Sequence, residues 1–141
     1  MFIKICLIAV AFMLLPAANK ASAREDQRAP VISDLKVVPQ AGPVGTMYKI
    51  TLRITDTQGP NDVIKILYHL REKVEGIQLP INDDGVNGDV SRGDGIYTGM
   101  NFVPESAERK THIFQVFVRD KEKNKSNVLE YRFTVLEERE I

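Results

Sequence analysis

Two stretches of this chain alternate apolar and polar residues with a period of two, and that alternation constrains the fold more than any other feature. In residues 48–55, Tyr48, Ile50, Leu52 and Ile54 fall on one side, and Lys49, Thr51, Arg53 and Thr55 on the other. Near the C-terminus, Leu129, Tyr131, Phe133 and Val135 alternate with Glu130, Arg132 and Thr134. Successive side chains of a strand point to opposite faces, so each stretch reads as a strand with one face on a core and one in water. No stretch longer than about ten residues carries a convincing helical period.

Five less regular strands complete the pattern. Val31 to Val38 is closed by Pro39 and the turn Gly42-Pro43-Val44-Gly45. Val63 to Arg71 places Ile64, Ile66, Tyr68 and Leu70 on one face, taken as the inner one. Gly76 to Pro80 is short, and Ile96 to Val103 ends at Pro104. His112 to Asp120 turns Phe114, Val116 and Val118 inward. Its other face carries Ile113 and Phe117, more apolar than water favours, which makes that pair a candidate interaction surface. The stretch from Glu105 to Lys110 has room for one helical turn. Short strands with turn signals at roughly 8–12-residue spacing predict a single all-β domain, a seven-strand antiparallel sandwich over residues 30–137. Residues 24–29 read as an exposed lead-in and 138–141 as a charged tail. If the strands alternate in direction, the loops 56–62, 82–95 and 120–127 share one end of the sandwich, where loop-borne function is expected.

The first 23 residues have the form of a cleaved export signal. Lys4 supplies a positive start, Ile5 to Leu15 is an unbroken apolar run, Pro16 breaks it, and Ala21-Ser22-Ala23 has the small-x-small form of a cleavage site. As a helix that run spans about 16 Å, far short of a ~30 Å hydrocarbon core. Processing after Ala23 removes Cys6, so the exported domain, periplasmic or extracellular, has no disulfide to rely on. It also removes Lys4 and Lys20, taking 19 basic residues to 17 against 19 acidic, a net charge of −2. That balance excludes the basic footprint of a nucleic-acid-binding domain.

The most informative segment runs from Asn82 to Gly95, with four aspartates and four glycines. Glycines permit left-handed backbone, so carboxylates and carbonyls can turn inward together. Ca²⁺ takes six to eight oxygens at about 2.3–2.6 Å. The expectation is one structural Ca²⁺ held by Asp83, Asp84, Asp89 and Asp94, with Asn82 and Asn87 as neutral oxygens and Asp56, Asp62 or Asp120 completing the shell. Asp-Gly and Asn-Gly pairs also build tight turns without metal, so both readings stand. The aspartate spacing does not fit an EF-hand loop.

His69 and His112 lie on different strands without metal-ligand spacing around them, and read as structural or surface residues. The sequence contains no Gly-x-Ser-x-Gly elbow, His-Glu-x-x-His helix or phosphate-binding Gly-Lys-Ser/Thr loop. A carbohydrate-binding or carbohydrate-processing role requires an aromatic platform, which in a chain without Trp falls to Tyr68, Tyr97, Phe102 or Phe117.

The block from Asp56 to Asp120 resembles exported bacterial immunoglobulin-like domains, some catalogued as choice-of-anchor modules. The residues that carry the resemblance are Asp56-x-x-Gly59-Pro60-x-Asp62-Val63, the run from Asp83-Asp84-Gly85 through Gly88-Asp89 to Gly93-Asp94-Gly95-Ile96-Tyr97-Thr98, and the strand Phe114-x-Val116-x-Val118-x-Asp120. The resemblance implies an immunoglobulin-like or fibronectin-III-like sandwich and a non-catalytic role. The partner on this reading is another protein or a surface polymer.

Overall fold

The computed structural model describes residues 28–72 and 74–138. The expected export signal, with Cys6, lies outside them, as do residues 24–27 and 139–141. Eight strands are present among the described residues: β1 (Val31–Val38), β2 (Ala41–Gly42), β3 (Met47–Thr55), β4 (Ile66–Arg71), β5 (Val74–Pro80), β6 (Ile96–Phe102), β7 (Thr111–Phe117) and β8 (Leu129–Val135). They form a three-stranded sheet, β1-β3-β6, and a five-stranded sheet, β2-β8-β7-β4-β5. The expected count of seven omitted β2, which overlaps the predicted Gly-Pro turn at Gly42 and pairs in parallel with Thr134 and Val135 of β8. All other pairings are antiparallel. β5 joins β4 and does not extend the β1-β3-β6 sheet, so the second sheet is the wider by two strands.

The alternation in β3 is borne out. Tyr48, Ile50, Leu52 and Ile54 are buried, Ile50 and Leu52 completely. β8 contributes Tyr131, Phe133 and Val135 to the same core, and the chain after His112 contributes Val116 and Val118. Phe114 is partly buried and packs against that core. No helix among the described residues is long and apolar enough to cross a membrane.

β4 corrects the expectation. The inner residues are Leu67, fully buried, and His69, only 4% exposed; Ile64, Ile66, Tyr68 and Leu70 keep partial exposure. Two contacts make this register the better one. Inside, the His69 ring bonds the Tyr131 hydroxyl through Nε2 and stacks on Phe114 at 4.5 Å. Outside, Tyr68 stacks on Phe117 of β7 with rings 4.9 Å apart and parallel to 1°. Before β4 the chain makes a 3-10 turn at Pro60–Asp62, so the strand starts later than Val63.

The two sheets come close where β5 faces β6. A Cβ on Gly99 would sit 2.9 Å from Leu79 Cδ2 and 3.0 Å from Ile81 Cγ2, so any larger residue there would have to displace those side chains. Farther along the same strands they diverge.

Candidate functional site

At one end of the sandwich, hydrogen bonds join loop 56–62 to loop 120–127, and others join loop 82–95 to the end of β3 that leads into loop 56–62. Val63 bridges to Asp120, and the Lys121 amide donates to the Asp62 carbonyl at 2.8 Å. The Ile54 amide donates to the Gly95 carbonyl at 3.0 Å, and Arg53 reaches the Asp94 carbonyl at 3.4 Å. The aspartates there form two groups instead of one shell: Asp83, Asp89 and Asp94 in the long loop, and Asp56, Asp62 and Asp120 between the other two loops, each with carboxylate oxygens within 4.8 Å of one another.

The long loop uses its carboxylates on its own backbone. Asn87 and glycines 85, 88, 93 and 95 all have positive φ, and the chain they bend wraps around Asp83. Asp83 accepts from the amides of Gly93 through Oδ1 and Gly95 through Oδ2, both at 3.0 Å. Asp89, buried, accepts from the Gly85 amide at 2.6 Å. Asp94 accepts from the Ile96 amide at 2.9 Å. Asp84 accepts from the Val86 amide at 3.2 Å and points away from the other three, outside their group. The Asn82 amide, oriented to suit its surroundings, donates to Asp84 Oδ1 at 3.0 Å, and Asn87 is exposed. Burial raises the Asp83 pKa; the Gly95 amide opposes this, and Asp94 and Asp89 reinforce it.

The second group is built differently. Asp56 opens an Asx turn, with Oδ1 accepting from the Gln58 amide at 2.9 Å and its carbonyl accepting from Gly59 at 3.0 Å. Gly59 at φ 95° then leads into Pro60, which starts the 3-10 turn that delivers Asp62. Asp120 is completely buried; its oxygens accept from the Asn124 backbone amide at 2.8 Å and side-chain amide at 2.9 Å. Asp56 Oδ2 and Asp62 Oδ2 are shut away from solvent with no hydrogen-bond partner. Buried polar atoms are rarely left so. Loss of solvent raises the Asp62 pKa first, and the charges of Asp56, Asp120 and Glu122 raise it further. Two chemistries relieve such a cluster: a proton shared between Asp56 and Asp62, or a divalent cation among the three.

The outer face of β7 is not the bare apolar patch the sequence suggested. Phe117 is 6% exposed, covered by Tyr68 and by two cations, Arg119 at 5.4 Å and Lys125 at 4.3 Å from its centroid. Ile113 is partly exposed. Of the four rings a sugar platform required, Tyr97 and Phe117 are buried and Tyr68 half-buried, while Phe102 is exposed. No two of them lie side by side at the surface.

Sequence reasoning missed the opposite end of the molecule. There His69 and His112 are both buried. His112 bonds Glu72 through Nδ1 at 3.2 Å and the Glu108 carbonyl through Nε2 at 2.9 Å. Burial lowers the His69 pKa to about 4, so the ring is neutral at pH 7. The available signal was two histidines at inward positions of neighbouring strands, legible only once the β4 register is known.

No family model matches the chain, and no curated protein does. Solved structures similar to it include the PKD domain of an M14-like peptidase from a Thermoplasmatales archaeon, at TM-score 0.47 and 15% identity, covering 77% of this chain and 97% of that one. Fibronectin(III)-like modules of Clostridium thermocellum CbhA match at TM-score 0.44 and 15% identity over 76% of this chain and 46% of that one. The SrpA adhesin of Streptococcus sanguinis matches at TM-score 0.45 and 18% identity, over 75% and 56%. Each is a likeness of fold.

Proposed function

We propose that this chain is an exported, non-catalytic immunoglobulin-like module that binds another protein or a surface polymer, and that Ca²⁺ stiffens the loop end that would meet it. The observation that carries the reading is the pair of solvent-excluded, unpartnered oxygens, Asp56 Oδ2 and Asp62 Oδ2, facing one another beside the fully buried Asp120. Ca²⁺ requires a set of hard oxygens and tolerates irregular geometry. The residues fit it: three carboxylates converge, with two oxygens that no protein donor uses. Asp83, Asp89 and Asp94 form a second, less open candidate, because backbone amides already occupy their oxygens. The cation's role is structural. It ties loop 56–62 to loop 120–127 and fixes the surface that all three loops present. Export supports the reading, since extracellular calcium fills sites as weak as ~10⁻⁴–10⁻³ M.

Thermal unfolding in EDTA and in millimolar Ca²⁺ tests this. Calcium at tenfold excess over its Kd adds about 1.4 kcal/mol by mass action, a rise of roughly 5 °C in Tm for a domain of this size. Asp62→Asn abolishes the rise while stabilising the protein in EDTA, because it removes a charge that Asp56 and Asp120 oppose. Asp83→Asn leaves the rise in place. Equal midpoints with and without Ca²⁺ in the wild type reject the cation. A rise lost in Asp83→Asn and kept in Asp62→Asn moves the cation to the long loop.

A further inference from the structure

The end of the sandwich away from the aspartates is open. From the close approach at Gly99 and Leu79, β5 and β6 diverge toward Ile77 and Phe102. Ile77 pairs with the inward-facing His69, and so lies on the inner face of its sheet, yet it is 48% exposed, and Phe102 is 54% exposed. Between the sheets at this end lies a cavity of about 340 Å³. Its floor is aromatic and aliphatic: Tyr48, Phe114, Phe133 and Val135 line it, with the rings of His69 and His112. Tyr48 and Phe133 meet across the two sheets, their rings 5.0 Å apart, and the cavity opens beside them.

One charged residue of the lining stands apart. Arg71 pairs with Phe114 across β4 and β7, so it shares the inner-face position, and it lines the cavity. The other charge there, Glu72, is held by Lys110 at 3.0 Å and His112 at 3.2 Å, and Lys110 also reaches Glu108 at 3.4 Å. Arg71 makes no ion pair or side-chain hydrogen bond among the described residues. Its guanidinium, a fork shaped for two parallel bonds to a carboxylate, is the unmatched charge at the mouth of an apolar chamber.

We propose that this cavity binds a small monocarboxylate with an apolar body, the body lying between the sheets on Phe114 and Phe133 and the carboxylate meeting Arg71. The volume holds roughly a dozen non-hydrogen atoms at the ~30 Å³ a liquid water occupies, near the lower end of known ligand pockets, about 300–1,000 Å³. Medium-chain fatty acids and aryl-alkanoic acids have that size and charge pattern. Long-chain lipids are too long, and a sugar would set most of its hydroxyls against the aromatic and aliphatic part of the lining. The site goes beyond the cation reading. It occupies the opposite ends of β4 and β7 and shares no residue with the aspartate groups.

Octanoate, 1-octanol and acetate serve as probes, titrated calorimetrically into the purified protein in EDTA and followed by ring resonances of Phe114 and His69. Octanoate is expected to saturate at one per chain and to shift both rings, octanol to bind more weakly at the same place, and acetate not to bind. Arg71→Gln raises the Kd for octanoate about tenfold or more, the loss of a charged hydrogen bond, and leaves octanol unchanged. Phe102→Asp, which puts a carboxylate at the mouth, abolishes octanoate binding. Both positions are exposed, and unchanged Tm values confirm that both variants fold. Octanoate that does not saturate, or that shifts neither ring, overturns the site. An Arg71→Gln Kd equal to wild type overturns the carboxylate.

Discussion

Lowering the pH from 7 to 5 in EDTA destabilises this protein through His69. The ring lies in the core at 4% exposure, bonded to the Tyr131 hydroxyl, stacked on Phe114 at 4.5 Å and beside the Tyr131 ring at 5.6 Å. No carboxylate partner among the described residues offsets the loss of solvent, and burial lowers its pKa from 6.5 to about 4. The unfolded chain therefore takes up a proton in a range where the folded chain does not. The His69 contribution is fully present above pH 6.5 and is lost as the pH falls toward 4. At 1.36 kcal/mol per pKa unit, the loss is about 2 kcal/mol between pH 7 and pH 5 and about 3 kcal/mol by pH 4.

Other groups titrate below pH 6, so the test is a difference. Asp62, whose pKa is raised, works in the opposite direction and gains stability for the fold as it protonates. Glu72, lowered chiefly by Lys110, loses stability at still lower pH. Urea unfolding of the wild type and of His69→Gln, followed by tyrosine fluorescence at pH 7, 6 and 5, isolates the histidine. Gln keeps an acceptor for the Tyr131 hydroxyl and has nothing to titrate. The wild-type curve is expected to fall more steeply than the variant's by about 2 kcal/mol over that range. Parallel curves, or an imidazole pKa for His69 near 6.5 by NMR, refute the reasoning.

Two further substitutions test the packing and the loop. Leu52→Ala removes a fully buried side chain from the central strand of the small sheet and is expected to cost about 2–5 kcal/mol in urea unfolding. Asp83→Ala leaves the Gly93 and Gly95 amides without the carboxylate they share; it costs about 1–3 kcal/mol and speeds amide exchange at Gly93, Gly95 and Ile96.

The strands that were legible in the sequence are those with one wet face. In β3 and β8 the polar partners of Ile50 or Phe133 leave only one way to bury the apolar set. β4 was not legible because both of its faces are apolar enough to bury. Ile66, Tyr68 and Leu70 outweigh Leu67 and His69 on hydropathy, and the decision rests on a hydrogen bond to Tyr131, 62 residues away, and a stack on Phe117. β2 left no local trace, since two residues gain strand character only from Thr134 and Val135. The sharing of one end by the three acidic loops followed from strand alternation. Their division into two groups did not, because it depends on the Val63–Asp120 bridge and on which carboxylates the loop backbone already uses. The cavity is lined by side chains from both sheets, among them Tyr48, Ile77, Phe102 and Phe133, a juxtaposition that no periodicity can show.

On the proposed reading, Asp56, Asp62 and Asp120 hold a cation in place of a shared proton. Calorimetric titration of Ca²⁺ into EDTA-stripped, dialysed protein at pH 5.5, repeated in two buffers of different ionisation enthalpy, measures it most directly. Saturable binding with a buffer-dependent heat is expected, because the cation displaces protons from a cluster whose Asp62 pKa is raised, with loss of that heat in Asp62→Asn. A flat titration to millimolar Ca²⁺, or binding that Asp62→Asn leaves intact, contradicts it.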